Sequence, residues 1–473
     1  MPANSFLKIS PPNLKDSLFS SRFALLLVSV ILFAMLCYGL QTFENTGKKP
    51  FLANDTASYF EAIDLFYCHH FEADPLRPFL LPMIVGLPMA WGAKSAVFSW
   101  AIALNFCSWL GTLLLIYAAI LQLTCRSRVA FVCGVLFATH VGHLLLVHQM
   151  LSESVYTFLL TASFYFFIQY VTTKKNMQSG KQSDKNLIKS IFIFVMASLI
   201  RATTIFLAVI FALWALSFLF KQKKIVSAFV LALLVALPIG YQGFQMNKKF
   251  GTWDISFSPY ENIVHYFGAQ VEAIPDDWTT FEATKMVEDW KIKINQRGEQ
   301  LPTNADGSQN WQATKRSAQA EIRQLLIHQP FKTALAYSIC VGSNATMPHG
   351  FIRKLQNYRQ VTYFESLQKA FTLLSALQNI LLTLGGALIA GYEFLQYWRQ
   401  RKQYKFFAHN TLRWIFSIIF VNIILISGFT ISEDRYHLVV VPIFLINMAV
   451  FYSQKKTERD MENNKLKNNA TLL

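Results

Sequence analysis

Charge is scarce in this chain. Only 15% of its 473 residues are Asp, Glu, Lys or Arg, against about 25% in an ordinary soluble domain. Acidic residues are the scarcer kind, 27 against 43 basic ones. Cysteine is sparse too, with six in the whole chain. They form no CxxC pair and no Cys/His spacing, so neither a metal cage nor a disulfide framework is expected. No internal repeat is visible, which takes support away from transporters built on inverted repeats. The first apolar stretch lacks a small-residue cleavage site and is expected to remain as an uncleaved signal anchor. What is plentiful is apolar length: 53% of the residues are hydrophobic and 42 are Phe. That balance describes a polytopic membrane protein. In such a protein a net charge of +16 reflects basic cytoplasmic loops, and nucleic acid is not an expected partner.

Span length and loop charge give a topology. About 20 apolar residues cross the hydrocarbon core. Spans are placed near 22–41, 95–122, 129–147, 151–173, 188–200, 202–220, 225–246, 371–396, 411–430 and 437–453. Basic groups at Lys8/Lys15/Arg22, Arg126/Arg128, Lys174–Lys189, Lys221–Lys224, Arg399–Lys405 and Lys455/Lys456 mark inside loops. Segment 77–93 holds Pro78, Pro82, Gly86, Pro88 and Gly92. If it crossed, the next basic loops would fall outside, so it is read as kinked or re-entrant, tolerated against protein or water. The same parity makes 188–220 a hairpin with its turn, at Arg201, outside. The expected fold is all-α, with about ten transmembrane helices, interfacial helices in the first outer loop and a mostly helical outer domain. The expected division is a transmembrane core 1–246 with first outer loop 42–94, an extracytoplasmic domain 247–370, transmembrane helices 371–454 and a disordered cytoplasmic tail 455–473.

Four outer positions collect polar residues that a bilayer protein normally avoids. Asp55 opens a run in which Tyr59, Ile63 and Phe66 recur at helical spacing, as in an interfacial amphipathic helix; alone, Asp55 is equally an ordinary helix cap. Glu153 stands at the outer start of a span, where a helix dipole favours a carboxylate. Arg201 sits at the hairpin tip, where snorkelling to headgroups is the simple alternative. Glu433-Asp434-Arg435-Tyr436-His437 precedes Pro442 and could be a charged interhelical turn. Together Arg77, Arg201 and Arg435 offer forked donors for a phosphate. Asp55 and Glu153 offer a general base and a second carboxylate, and the pair could hold a divalent metal cation. Tyr59, Tyr436 and His437 are the candidate substrate contacts. The adjacent His69 and His70 point in different directions and are read as loop residues, not ligands.

The order of these features resembles C-type membrane glycosyltransferases, whose relatives include protein O-mannosyltransferases and lipid A aminoarabinose transferases. The resemblance rests on a first span, then Asp55-x-x-Ser58-Tyr59, then Arg77-Pro78-Phe79-Leu80-Leu81-Pro82. The Ser152-Glu153-Ser154 before a span, the Leu199-Ile200-Arg201-Ala202-Thr203 turn and the late Asp434-Arg435-Tyr436-His437 with Pro442 extend it over most of 20–450. It implies a polyprenyl-phosphate-linked sugar donor, an envelope lipid, glycan or protein acceptor, and inversion at the anomeric carbon. It places the active site on the extracytoplasmic face of a bacterial inner membrane. Asp55 matches the first-loop catalytic Asp, and Glu153 a second acidic position. Thr56 follows Asp55 where the mannosyltransferases carry an Asp-Glu pair, and Phe79 follows Pro78 where Arg-Pro-Pro is commoner, so the subfamily and the sugar stay open. Two rival readings are an O-antigen ligase or polymerase, built around a large outer loop, and a non-enzymatic lipid or solute transporter, expected to carry charge near mid-membrane.

Overall fold

The computed structural model describes residues 24–32, 55–175, 180–275, 283–347, 364–400, 417–425 and 435–470. Among the described residues there is no strand, and one isolated bridge joins Thr303 and Gln309. The core is a bundle of α4 (Val97–Thr124), α5 (Ser127–Ala138), α6 (Val141–Val147), α7 (Glu153–Lys175), α8 (Gly180–Ile200), α9 (Ile205–Lys221) and α10 (Ile225–Phe250). Ahead of it lie α1 (24–32), α2 (Thr56–Cys68) and α3 (Leu80–Val85). Beyond it come α11 (Ser258–Glu261), α12 (Gly268–Ala273), α13 (Ala283–Glu299), α14 (Trp311–His328), α15 (Pro330–Thr346), α16 (Phe364–Gln400), α17 (417–425), α18 (Arg435–Leu438) and α19 (Val441–Ala470).

Five helical stretches are long and apolar enough to cross a membrane: Lys94–Thr124, Glu153–Thr173, Ala202–Lys221, Ile225–Phe250 and Gln368–Gln396. The pair α5 and α6, bent by 60°, makes a sixth if it counts as one span. This is a multi-pass helical membrane protein with five to six such spans among its described residues, fewer than the ten expected. The expected span at 22–41 is described only over 24–32, and that at 411–430 only over 417–425. Segment 77–93 holds no helix long enough to cross: α3 is six residues long and is followed by a 3₁₀ turn, Leu87–Trp91.

Two expectations need correction. The first limb of the 188–220 hairpin begins at Gly180, so Lys181–Lys189 is helical and not a loop. The salt bridge from Lys224 Nζ to Asp184 Oδ1, at 2.6 Å, ties that extension to the start of α10. Residues 455–470, expected to be disordered, continue α19. They contain no Gly or Pro, and their Lys, Glu, Arg, Met, Leu and Ala are good helix formers.

Bilayer physics shows at the bend. A helix broken within hydrocarbon frees backbone groups that lipid cannot satisfy. Here Gln378 of α16 supplies both partners. Its Oε1 accepts from Val141 N at 3.0 Å, and its Nε2 donates to Thr139 O at 3.2 Å. Helices α7 and α8 are clasped by reciprocal bonds, Ser163 Oγ to Ser190 O at 2.8 Å and Ser190 Oγ to Ser163 O at 2.9 Å. Small residues let helices approach: a Cβ at Gly111 of α4 would meet the Phe158 ring of α7 at 2.5 Å.

The long helices alternate in direction, so the starts of α4 and α7 and the ends of α8 and α10 share one end of the bundle. The basic turns at Arg126, Lys174/Lys175 and Lys221–Lys224 share the other. Trp91 and Trp253, both exposed, stand at the first end, where an aromatic belt marks a membrane–water interface. Gly111→Val is expected to lower stability by about 1–3 kcal/mol, the usual cost of overpacking. Denaturant titration in detergent micelles measures this; an unchanged midpoint would mean that Phe158 moves aside freely.

Candidate active site

At the end of the bundle opposite the basic turns, side chains from five stretches line a cavity of about 330 Å³. Asp55 and Tyr59 come from α2, Arg77 from the loop before α3, Glu153 from the start of α7, and Arg201 from the break between α8 and α9. The fifth stretch is the segment after α10, with Ser256, Ser258, Asn262 and Ile263.

Glu153 and Arg201 form the buried pair. Arg201 Nη1 donates to Glu153 Oε1 at 2.7 Å, with the side chains 12% and 2% exposed. Glu153 also sits in the first turn of α7, where free backbone N–H groups and the helix dipole favour its negative charge. Arg201 follows the last residue of α8 in extended backbone, and a short 3₁₀ turn, Ala202–Thr204, begins after it. Three buried hydroxyls brace this break: Tyr156 OH and Ser198 Oγ each lie 3.0 Å from Thr204 Oγ1.

Asp55 and Arg77 form the second, looser pair, at 3.5 Å and more exposed. Asp55 stands at the N-cap of α2, but its side chain makes no cap hydrogen bond; it faces Arg77 across the cavity. Arg77 donates to Ser58 Oγ through Nε and Nη2, at 3.2 and 2.9 Å. It also lies over the Tyr59 ring, 4.4 Å from the centroid, a cation–π geometry. Burial pushes the Tyr59 phenol up, against the pull of Arg77, so it stays a neutral donor between the two pairs.

Several residues here escape sequence reading. Asp74 Oδ1 accepts from the backbone N–H groups of Leu76 and Arg77, at 2.8 and 2.6 Å, a local turn that fixes where Arg77 leaves the chain. Gln242, buried on α10, accepts from Phe79 N at 3.0 Å and donates to Ile255 O at 2.8 Å. Ser256 Oγ donates to Leu76 O, and Phe257 N to Pro75 O. These bonds stitch 74–79 to 255–257, segments about 180 residues apart. Glu261 joins the group: burial raises its carboxyl, with Arg77 opposing and Asp55 and Asp74 reinforcing the rise. The one local signal was the Asp-Pro turn at 74–75; nothing local to Gln242 or Glu261 points to the site.

Not every expected residue arrives. His437, expected as a substrate contact, is buried in a separate small cavity with Asn379, Phe420 and Phe444. Arg435 and Tyr436 open α18, but their side chains, like Glu433 and Asp434, lie outside the described residues. His69 pairs with Asp64 at 3.4 Å on the surface and takes no part in the cavity. The divalent cation expected at Asp55 and Glu153 does not fit this donor set. Each carboxylate already faces a guanidinium, and no group of three His, Cys, Asp or Glu among the described residues could hold a metal.

No family model matches the chain, and no curated protein matches it. Among solved structures it is similar to the archaeal oligosaccharyltransferase AglB from Archaeoglobus fulgidus, in complex with an inhibitory peptide and a dolichol-phosphate. The identity is 12% and the TM-score 0.41; the match covers 94% of this chain and 52% of that one. The chain therefore spans about half the length of that protein.

Removing one partner of a buried ion pair costs about 3–5 kcal/mol, because the other charge is left uncompensated. Glu153→Gln should approach that loss. The double variant Glu153→Gln/Arg201→Gln should lose less than the sum of the singles, since paired residues couple. Strict additivity in a double-mutant cycle would show that the pair is not coupled.

Asp74 carries a pH signature. Burial raises its carboxyl to about 6, outweighing the two backbone N–H bonds and Arg77. A carboxyl raised on folding contributes stability that is complete below its unfolded value, about 3.9, and is lost as pH rises through about 6. Asp74→Asn keeps the Oδ1 acceptor and removes the titration. The stability difference, variant minus wild type, should grow between pH 4 and 6.5; a flat difference would show that Asp74 titrates normally.

Proposed function

We propose that this protein is an inverting glycosyltransferase. It moves a sugar from a polyprenyl-phosphate donor to an acceptor at the extracytoplasmic face of the membrane, as the sequence resemblance implies. One observation carries the reading: Asp55, Arg77, Glu153 and Arg201, spread over about 150 residues, line one cavity at the end of the bundle away from the basic turns. Two carboxylates with two forked cations at a membrane rim suit a lipid-borne phosphate and a hydroxyl acceptor.

A second feature supports a lipid donor. Pro78 lines the cavity, and the next residue, Phe79, lines an open apolar groove of about 540 Å³ between α2, α3, α8 and α10. Phe66, Met83, Met196 and Tyr241 also line it. Such a surface takes an isoprenoid chain while the phosphate stays beside Arg77.

The two carboxylates divide the work by environment. Glu153 is the more buried and the more closely paired, so it holds Arg201 in place. Asp55 is the more exposed and the more loosely paired, so it is the base. It takes the acceptor proton as the acceptor oxygen attacks the anomeric carbon. The bond from that carbon to the phosphate oxygen breaks, and the lipid phosphate leaves with the electron pair toward Arg77 and Arg201, whose fixed donors stabilise its charge. Arg435 completes the proposed phosphate set, and Tyr59 contacts the sugar.

Asp55→Asn keeps size and removes the base. Turnover with a radiolabelled polyprenyl-phospho-sugar and membrane-fraction acceptors should fall at least ~10²-fold. Stability should change by less than about 1 kcal/mol. Arg201→Lys should weaken donor binding roughly 10- to 150-fold, a lost charge-assisted contact of about 1.5–3 kcal/mol. Near-normal turnover in Asp55→Asn would move the base elsewhere, with Glu153 next. No sugar transfer by the wild-type protein from any polyprenyl-phosphate donor would refute the reading.

A further inference from the structure

The wall formed by the segment after α10 contains an unusual turn. Residues Asn262–Phe267 are a π-helix, closed by Gly268 N–H reaching back five residues to Ile263 O. Such turns are rare, and many occur at functional sites. This one carries two cavity residues, Asn262 and Ile263, and follows directly on Glu261. The wider register has a cost. In an α-helix the Gly268 N–H would bond Val264 O; here that donor is spent on Ile263.

Arg297 of α13 provides the replacement. Its Nη1 donates to Val264 O at 2.6 Å and to Glu321 Oε1 of α14 at 2.7 Å. Its Nη2 donates to Glu272 Oε1 of α12 at 2.7 Å. The guanidinium is largely covered, and the two carboxylates hold it above its ordinary value despite burial. Room for it depends on one residue: a Cβ at Gly268 would fall on Arg297 and on Glu321. The other side of the turn is held by His265, whose Nε2 lies 2.9 Å from Ile294 O of α13.

We infer that Arg297 is a positioning residue for the cavity: it holds the π-turn open in its wide register and so sets where Glu261, Asn262 and Ile263 face the site. The inference deepens the glycosyltransferase reading by giving helices α13 and α14 a part in shaping the cavity wall formed by the segment after α10. A lysine cannot reproduce the role in full, since a single ammonium does not span a carbonyl and two carboxylates on three elements with fixed fork geometry.

Hydrogen–deuterium exchange on the purified full-length protein in nanodiscs tests this without any substrate. In Arg297→Ala the amides of 262–268 should exchange at least about 10-fold faster, the factor a lost charge-assisted bond corresponds to. Helix α7, carrying Glu153, should keep wild-type exchange. Arg297→Lys should fall between the two, and Gly268→Ala, with Arg297 intact, should match Arg297→Ala. Binding of farnesyl phosphate as probe should weaken in the same order. Unchanged exchange at 262–268 in Arg297→Ala and Gly268→Ala would overturn the proposal. So would a uniform rise over all helices in Arg297→Lys, which would make Arg297 a support of the outer helices as a whole. Wild-type protein that binds no farnesyl phosphate would count against the lipid-phosphate reading alone, because the exchange result does not depend on it.

Discussion

The bond between Glu153 and Arg201 organises this end of the protein. Two charges at a membrane rim are costly unless each finds the other with good geometry. Meeting at 2.7 Å, they fix the start of α7 against the break between α8 and α9. The break is possible because Tyr156, Ser198 and Thr204 satisfy one another beneath it. The pair also forms one wall of the cavity, so the feature that stabilises the bundle end supplies its electrostatics.

The facing wall has the opposite character. Asp55 and Arg77 stand farther apart and more open, at the start of helix α2 and on a proline-bounded loop whose backbone donates to Asp74 and Gln242 and accepts from Ser256. A tightly paired carboxylate is poorly placed to accept a proton, whereas a looser, partly solvated one can. This asymmetry is the basis for proposing Glu153 as the anchor and Asp55 as the base. Arg297 of α13 bonds both Val264 in the turn at the cavity edge and Glu321 of α14.

Much of the candidate site was legible because of topology. Basic loops mark one end of the bundle, so polar residues at Asp55, Arg77, Glu153 and Arg201 had to share the other. Spacing alone left Asp55 open between cap and base; the structure shows a side chain that makes no cap bond and lies beside Arg77. His437 lies apart from the cavity; a motif near a predicted rim says nothing of which neighbours bury it. The cation expected at Asp55 and Glu153 failed for a related reason, since sequence cannot show that each carboxylate already faces a guanidinium.

The sequence by itself determined that the chain is a helical membrane protein, where several of its long apolar helices run, and that Asp55, Arg77, Glu153 and Arg201 gather at one end. Apolar length and loop charge decide those things locally, residue by residue. Only the tertiary structure decided which charges pair and how tightly. It decided that Gln242 and the segment 255–257 close over a loop some 180 residues earlier, and that a π-turn held by Arg297 lines the cavity. Those outcomes depend on contacts between distant segments and on hydrogen bonds that the fold alone brings within reach, and no local pattern encodes them.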